Sequence, residues 1–132
     1  MKTLTQDKLE KKYGPLQVDL LKDKSMRACH LRDSQNISRM LAITIYPKNR
    51  NSFPEVDEEI ESGSPIGRTF IKYGYKIKKE ISNDCIVKIS NSLKNEFQTK
   101  KEIAQMKMYD LYVQYKDSPF LLYATIIEIY IP

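Results

Sequence analysis

The sequence predicts an α+β fold in which an antiparallel sheet carries a few short helices packed on one side. Three observations lead there. Alternating and β-rich runs recur from residue 16 to residue 131. The helical patterns are short and do not alternate one-for-one with strands, which disfavours a parallel βαβ sheet. The last third reads as two long β-rich runs separated only by Lys116-Asp117-Ser118-Pro119, so antiparallel pairing dominates. With 132 residues, 41% hydrophobic and 30% charged, the chain (residues 1–132) has the size and composition of one globular domain and not of a disordered tract.

Residues 3–12 read as a helix. Thr3 and Gln6 fit a capping box, Leu4, Leu9 and Tyr13 can share one side, and Gly14-Pro15 ends the pattern. Residues 16–21 alternate as a strand, and residues 22–25 are a polar break. Residues 26–32 alternate again, with Arg27, Cys29 and Leu31 on one face and Met26, Ala28 and His30 on the other. Asp33-Ser34-Gln35-Asn36 has turn chemistry, and residues 38–46 are a β-rich run closed by Pro47, so these two strands form a hairpin.

Residues 47–54 read as loop. Residues 55–61 are a short helix whose acidic residues suit the positive end of the dipole and whose end suits Gly63. Ser64-Pro65-Ile66-Gly67 then leads into a helical turn carrying Phe70 and Ile71, stopped by Gly74. Residues 75–81 and 85–89 read as two strands. Residues 92–99 read as a helix with Leu93 and Phe97 at i, i+4, and residues 103–115 and 120–131 as the terminal hairpin.

Composition narrows the function classes. The longest apolar run, residues 120–127, is far shorter than the ~18–20 residues of a membrane helix, and the N-terminus has no apolar signal-peptide segment. The sequence therefore predicts a cytoplasmic protein with no membrane partner. Cys29 and Cys85 with one histidine, His30, cannot by themselves complete a four-ligand zinc site, so no metal is expected, and two reduced, buried thiols are expected over a disulfide. No Gly-rich phosphate loop and no Cys-x-x-Cys occur. A net charge of +5 is modest, and its densest run, Arg68, Lys72, Lys76, Lys78 and Lys79 beside Tyr73 and Tyr75, reads as a solvated face and not a nucleic-acid groove. Positive charge of this size also suits attraction of a small polyanionic substrate. Exposed strand edges permit a monomer or a homodimer alike.

Glu128 needs the most explanation. Within residues 120–131 it shares a face with Phe120, Leu122, Ala124, Ile126 and Tyr130, and the opposite face is apolar too. A buried carboxylate needs a partner or a function. It is a functional group, an edge residue open to water, or half of a structural ion pair. Arg27, in phase with Cys29 and Leu31, is its natural partner, because a guanidinium grips carboxylates in a fork that lysine cannot copy; the other reading is an arginine on an exposed face. In Ser64-Pro65-Ile66-Gly67 the proline fixes φ and the glycine permits close backbone approach, with exposed N–H groups suited to an anion. His30 falls opposite Arg27 and reads as a surface or structural residue.

Read together, these features resemble the chorismate–pyruvate lyases. The stretch Arg27-Ala-Cys-His-Leu-Arg-Asp-Ser34, followed by Leu41-Ala-Ile-Thr-Ile-Tyr-Pro47, is similar to that family's central strands. Ser64-Pro-Ile-Gly-Arg-Thr-Phe70 resembles its Pro-Leu/Ile-Gly loop, and Glu128-Ile-Tyr-Ile-Pro132 its closing Glu-x-Phe-x-Pro strand. More faintly, residues 3–10 and 14–21 are similar to its Ser-Leu-Thr start and next strand. The resemblance implies a sheet of about six antiparallel strands, shared with the small-molecule-sensing UTRA domains of transcription regulators. It implies elimination of pyruvate from chorismate to give 4-hydroxybenzoate, without metal or organic cofactor. Arg27 would grip a carboxylate, the backbone of Ile66 and Gly67 would donate to the ligand, Thr44 would join the substrate contacts, and Glu128 would hydrogen-bond the ring hydroxyl and assist the elimination. A non-catalytic module of the same shape, sensing an aromatic or other small carboxylate, is the alternative.

Overall fold

The computed structural model describes residues 5–22 and 26–132. Along the chain come α1 (Thr5–Tyr13), β1 (Gln17–Lys22), β2 (Met26–Arg32), β3 (Ser38–Ile45), α2 (Pro54–Glu61), α3 (Ile66–Lys72), β4 (Tyr75–Lys88), α4 (Asn91–Phe97), β5 (Ile103–Tyr115) and β6 (Leu121–Tyr130). The strands form one antiparallel six-stranded open sheet in the order β1-β2-β3-β6-β5-β4. The fold class is therefore the expected one. Its sheet is two local units, the meander β1-β2-β3 and the meander β4-β5-β6, joined where β6 lies against β3.

Local chemistry fixes the turns. At the β2–β3 turn, one carboxylate oxygen of Asp33 accepts from the Gln35 and Ile37 amides at 2.9 and 3.1 Å, the other from Arg39 Nε at 2.8 Å. Asn36 takes the left-handed φ of 62° that the turn demands, a conformation asparagine tolerates well. Pro54 starts α2, where a missing N–H costs nothing.

Register defines the faces. Arg27 lies opposite Thr44, Thr44 opposite Ile126, and Ile126 opposite Tyr109; the next row runs Cys29, Ala42, Glu128, Lys107. Directly opposed residues share a face. The first three helices cover this face: Leu9 of α1 packs with Leu16, Leu31 and Met40, and Val56, Ile60, Ile66 and Phe70 of α2 and α3 pack with Leu111, Val113, Tyr123 and Ala124. Phe97 of α4 instead joins Ile89, Ala104, Leu41 and Ile129. Leu41 and Ile129 are paired in register and lie one residue out of phase with Ala42 and Glu128, which places α4 on the opposite face.

Three local differences from the sequence reading have physical causes. Residues 75–81 and 85–89 are parts of one strand, because the long β5 templates both; a bulge between Ile81 and Asn83 absorbs the polar Ser82, whose hydroxyl donates to the Met108 carbonyl at 3.3 Å. Helix α4 stops at Phe97 because Gln98 adopts a left-handed φ of 51°. A second bulge, between Leu111 and Tyr112, inserts Tyr123 into β6, so Tyr123 and Ala124 are both fully buried and Leu122, paired with Tyr112, does not share the face of Glu128. The Thr3 half of the capping box lies outside the described residues, as does most of the 22–25 break.

Candidate active site

All six strands, β1 through Val18, and two helix starts converge on one cavity beneath α1. Strand β2 directs Arg27 and Cys29 into it, β3 contributes Thr44, β6 contributes Glu128, and β4 and β5 contribute Lys79 and Tyr109. Thr5 and Gln6, at the start of α1, and Ile66 and Gly67, at the start of α3, complete the lining. The residues given a site role from the sequence, Arg27, Thr44, Ile66, Gly67 and Glu128, all line this one cavity. The cavity volume is about 70 Å³, against the ~10–15 Å³ that one water needs on the same measure. That is room for several waters or a compact organic ion.

Arg27 and Glu128 are both only 5% exposed. They are not each other's anchors, which corrects the expectation of a direct pair. One terminal nitrogen of Arg27 donates to the Ser64 carbonyl at 3.0 Å, in the loop before α3. Its Nε is buried with no hydrogen-bond partner. A buried charged donor left unpaired costs of order 1–3 kcal/mol or more, so its persistence on a cavity wall points to a missing acceptor. Glu128 accepts a 2.6 Å bond from the Thr5 hydroxyl and a 3.0 Å bond from the Tyr109 hydroxyl, one to each oxygen. Burial pushes the Tyr109 hydroxyl far above its ordinary value near 10, and the adjacent Glu128 charge and hydrogen bond add to it, so Tyr109 stays a donor.

Two further cations edge the site. Lys79 Nζ lies 4.6 Å from the centre of the Tyr109 ring. Arg68 reaches back to α1, bonding Asp7 through two nitrogens at 2.6 and 3.2 Å and also Glu10. Burial alone would raise the Glu10 carboxyl, but the Leu16 amide and the Arg68 guanidinium outweigh it and hold it below the ordinary range. Arg68 thus fastens α1 over the cavity. The basic run is dispersed: Lys72 pairs with Glu59, Lys78 lies near Glu80, and Lys79 turns to the cavity face.

Tyr109 and Thr5 have no site role in the sequence reading, and Arg68 and Lys79 figure there only in the basic run that reads as a solvated face, whereas both line the cavity. Tyr109 lies in phase with Leu111 and Val113 on β5, and only the β5–β6 register brings it to Glu128. His30 lies on the opposite face and meets Ser38 Oγ through Nδ1 at 2.7 Å, a structural contact. Cys29 is a buried thiol and Cys85 a half-buried one, neither in a disulfide. Among the described residues no group of three or more His, Cys, Asp or Glu side chains is placed to hold a metal ion, and no helix is long and apolar enough to cross a membrane. No family model matches this chain, and no curated protein matches it.

Proposed function

We propose that the cavity binds chorismate and eliminates pyruvate from it, leaving 4-hydroxybenzoate, with the chain's own side chains as the only catalytic groups. The observation that carries this reading is the buried Arg27 guanidinium, whose Nε has no partner, lining the same cavity as the buried carboxylate of Glu128. A ring carboxylate would take the unpartnered Nε donor of Arg27, with the Ser64 carbonyl holding one terminal nitrogen of the guanidinium. Glu128, oriented by Thr5 and Tyr109, would accept the ring hydroxyl.

The chemistry then asks little of the protein. The C–H bond at the hydroxyl-bearing ring carbon breaks, and its electron pair becomes the third ring double bond. The C–O bond to the enolpyruvyl group breaks, and the leaving enolpyruvate takes up the released proton to become pyruvate. Aromatisation drives the step, so orientation, a proton acceptor and exclusion of water suffice.

Incubation with chorismate, following 4-hydroxybenzoate, tests this. Turnover is expected in the native chain, abolished in Arg27→Ala and strongly reduced in Glu128→Gln. A sensing module for an aromatic acid is the second reading, favoured by one observation: both oxygens of Glu128 already hold donors, as in a site built for binding. Tight 4-hydroxybenzoate binding without turnover would establish it and exclude the lyase.

A further inference from the structure

The proposed elimination leaves one nucleophile in the cavity unused. Cys29 follows Arg27 by two residues on β2, so both side chains project from the same face about 7 Å apart along the strand. Both are 5% exposed and both line the cavity. Across the sheet Cys29 faces Ala42, which in turn faces Glu128, so the thiol and the carboxylate belong to one row separated by a single small residue. The unpartnered Arg27 Nε is an anchor for a carboxylate beside that sulfur.

We infer that Cys29 is a covalent modification site for small carboxylate-bearing electrophiles, seated by Arg27 before the sulfur attacks. This rests on the reading of Arg27 as a carboxylate anchor, but not on any elimination chemistry. With a haloacid the step is a displacement. The thiol gives up its proton to water, the sulfur–carbon bond forms, the carbon–halogen bond breaks, and halide leaves. The adduct would occupy the cavity and close it to other ligands. A guanidinium that concentrates anions at one thiol also gives selectivity, because Cys85 lies on β4, outside the cavity lining.

The probes are iodoacetate and its neutral counterpart iodoacetamide, with adducts at Cys29 and Cys85 quantified by mass spectrometry on the native chain. Cys29 is expected to prefer iodoacetate by about tenfold more than Cys85 does, the low end of what a charged cleft adds to local concentration. Benzoate is expected to slow the reaction at Cys29 and leave Cys85 unchanged. Arg27→Met is expected to bring the preference at Cys29 down to that of Cys85. Should this variant not fold, benzoate protection in the native chain still decides. Equal preference at both thiols, or no benzoate protection, overturns the inference even if chorismate is turned over. A selective, protectable Cys29 upholds it even if no pyruvate is released.

Discussion

Glu128 is held by two hydroxyls donated from opposite ends of the chain, Thr5 and Tyr109. Losing either leaves a buried carboxylate oxygen without its donor, and hydrogen bonds to charged groups are worth about 1.5–3 kcal/mol. Tyr109→Phe keeps the ring packing and removes only the hydroxyl. It is expected to lower the midpoint of urea unfolding by a stability loss in that range with an unchanged m-value. Because the folded Tyr109 hydroxyl titrates above its unfolded value near 10, its contribution is fully present below pH 10 and lost as pH rises beyond it. The native chain should therefore lose stability above pH 10 more steeply than Tyr109→Phe. Identical alkaline profiles would contradict this account of the site.

At the scale of elements, α1 is the cover of the cavity and α3 its fastening. Leu9 seals the helix to β2 and β3, and Arg68 bonds Asp7 and Glu10 across the mouth. The ion pairs are partly exposed, so their contribution is of order 0.2–1 kcal/mol. Its pH dependence is more diagnostic. The Glu10 carboxyl is held below its ordinary 4.5, so the clasp is complete above that pH and is lost as pH falls through the depressed value. Arg68→Ala is expected to increase amide exchange in α1 at neutral pH, with the difference from the native chain vanishing in acid. A difference that persists with Glu10 protonated would assign the effect to packing of the Arg68 stem and not to charge.

For the whole molecule, the sheet separates two tasks. One face carries the cavity and three helices; the other carries α4 and the cluster of Ile89, Phe97 and Ala104. Truncating Phe97 to alanine deletes a buried aromatic and is expected to cost about 3–5 kcal/mol. Its effect on 4-hydroxybenzoate affinity should be slight, because no residue of α4 lines the cavity. Leu9→Ala is expected to cost about 2–5 kcal/mol and to weaken the ligand as well, since it loosens the cover itself. Stability by denaturation and affinity by calorimetry separate the two; equal loss of affinity in both variants would show that the faces are not independent.

Sequence alone determined what depends on neighbours along the chain. The alternation of Arg27, Cys29 and Leu31, the Asp33–Asn36 turn, the Pro65-Ile66-Gly67 entry to α3 and the terminal hairpin are all written in local pattern, and each is in the structure. Even the candidate wall was legible in part, because a guanidinium and a carboxylate inside apolar strands are too costly to bury idly. What no local pattern holds is register between distant strands. The pairing of β3 with β6 decides that Arg27 and Glu128 share a face, and the bulges at Ser82 and Tyr123 decide which neighbours join them. Tyr109 and Thr5 became partners of Glu128, 19 and 123 positions away, and α4 crossed to the far side, through contacts between residues distant in the chain. Such contacts are fixed by which faces can be buried together, and only the folded chain settles that.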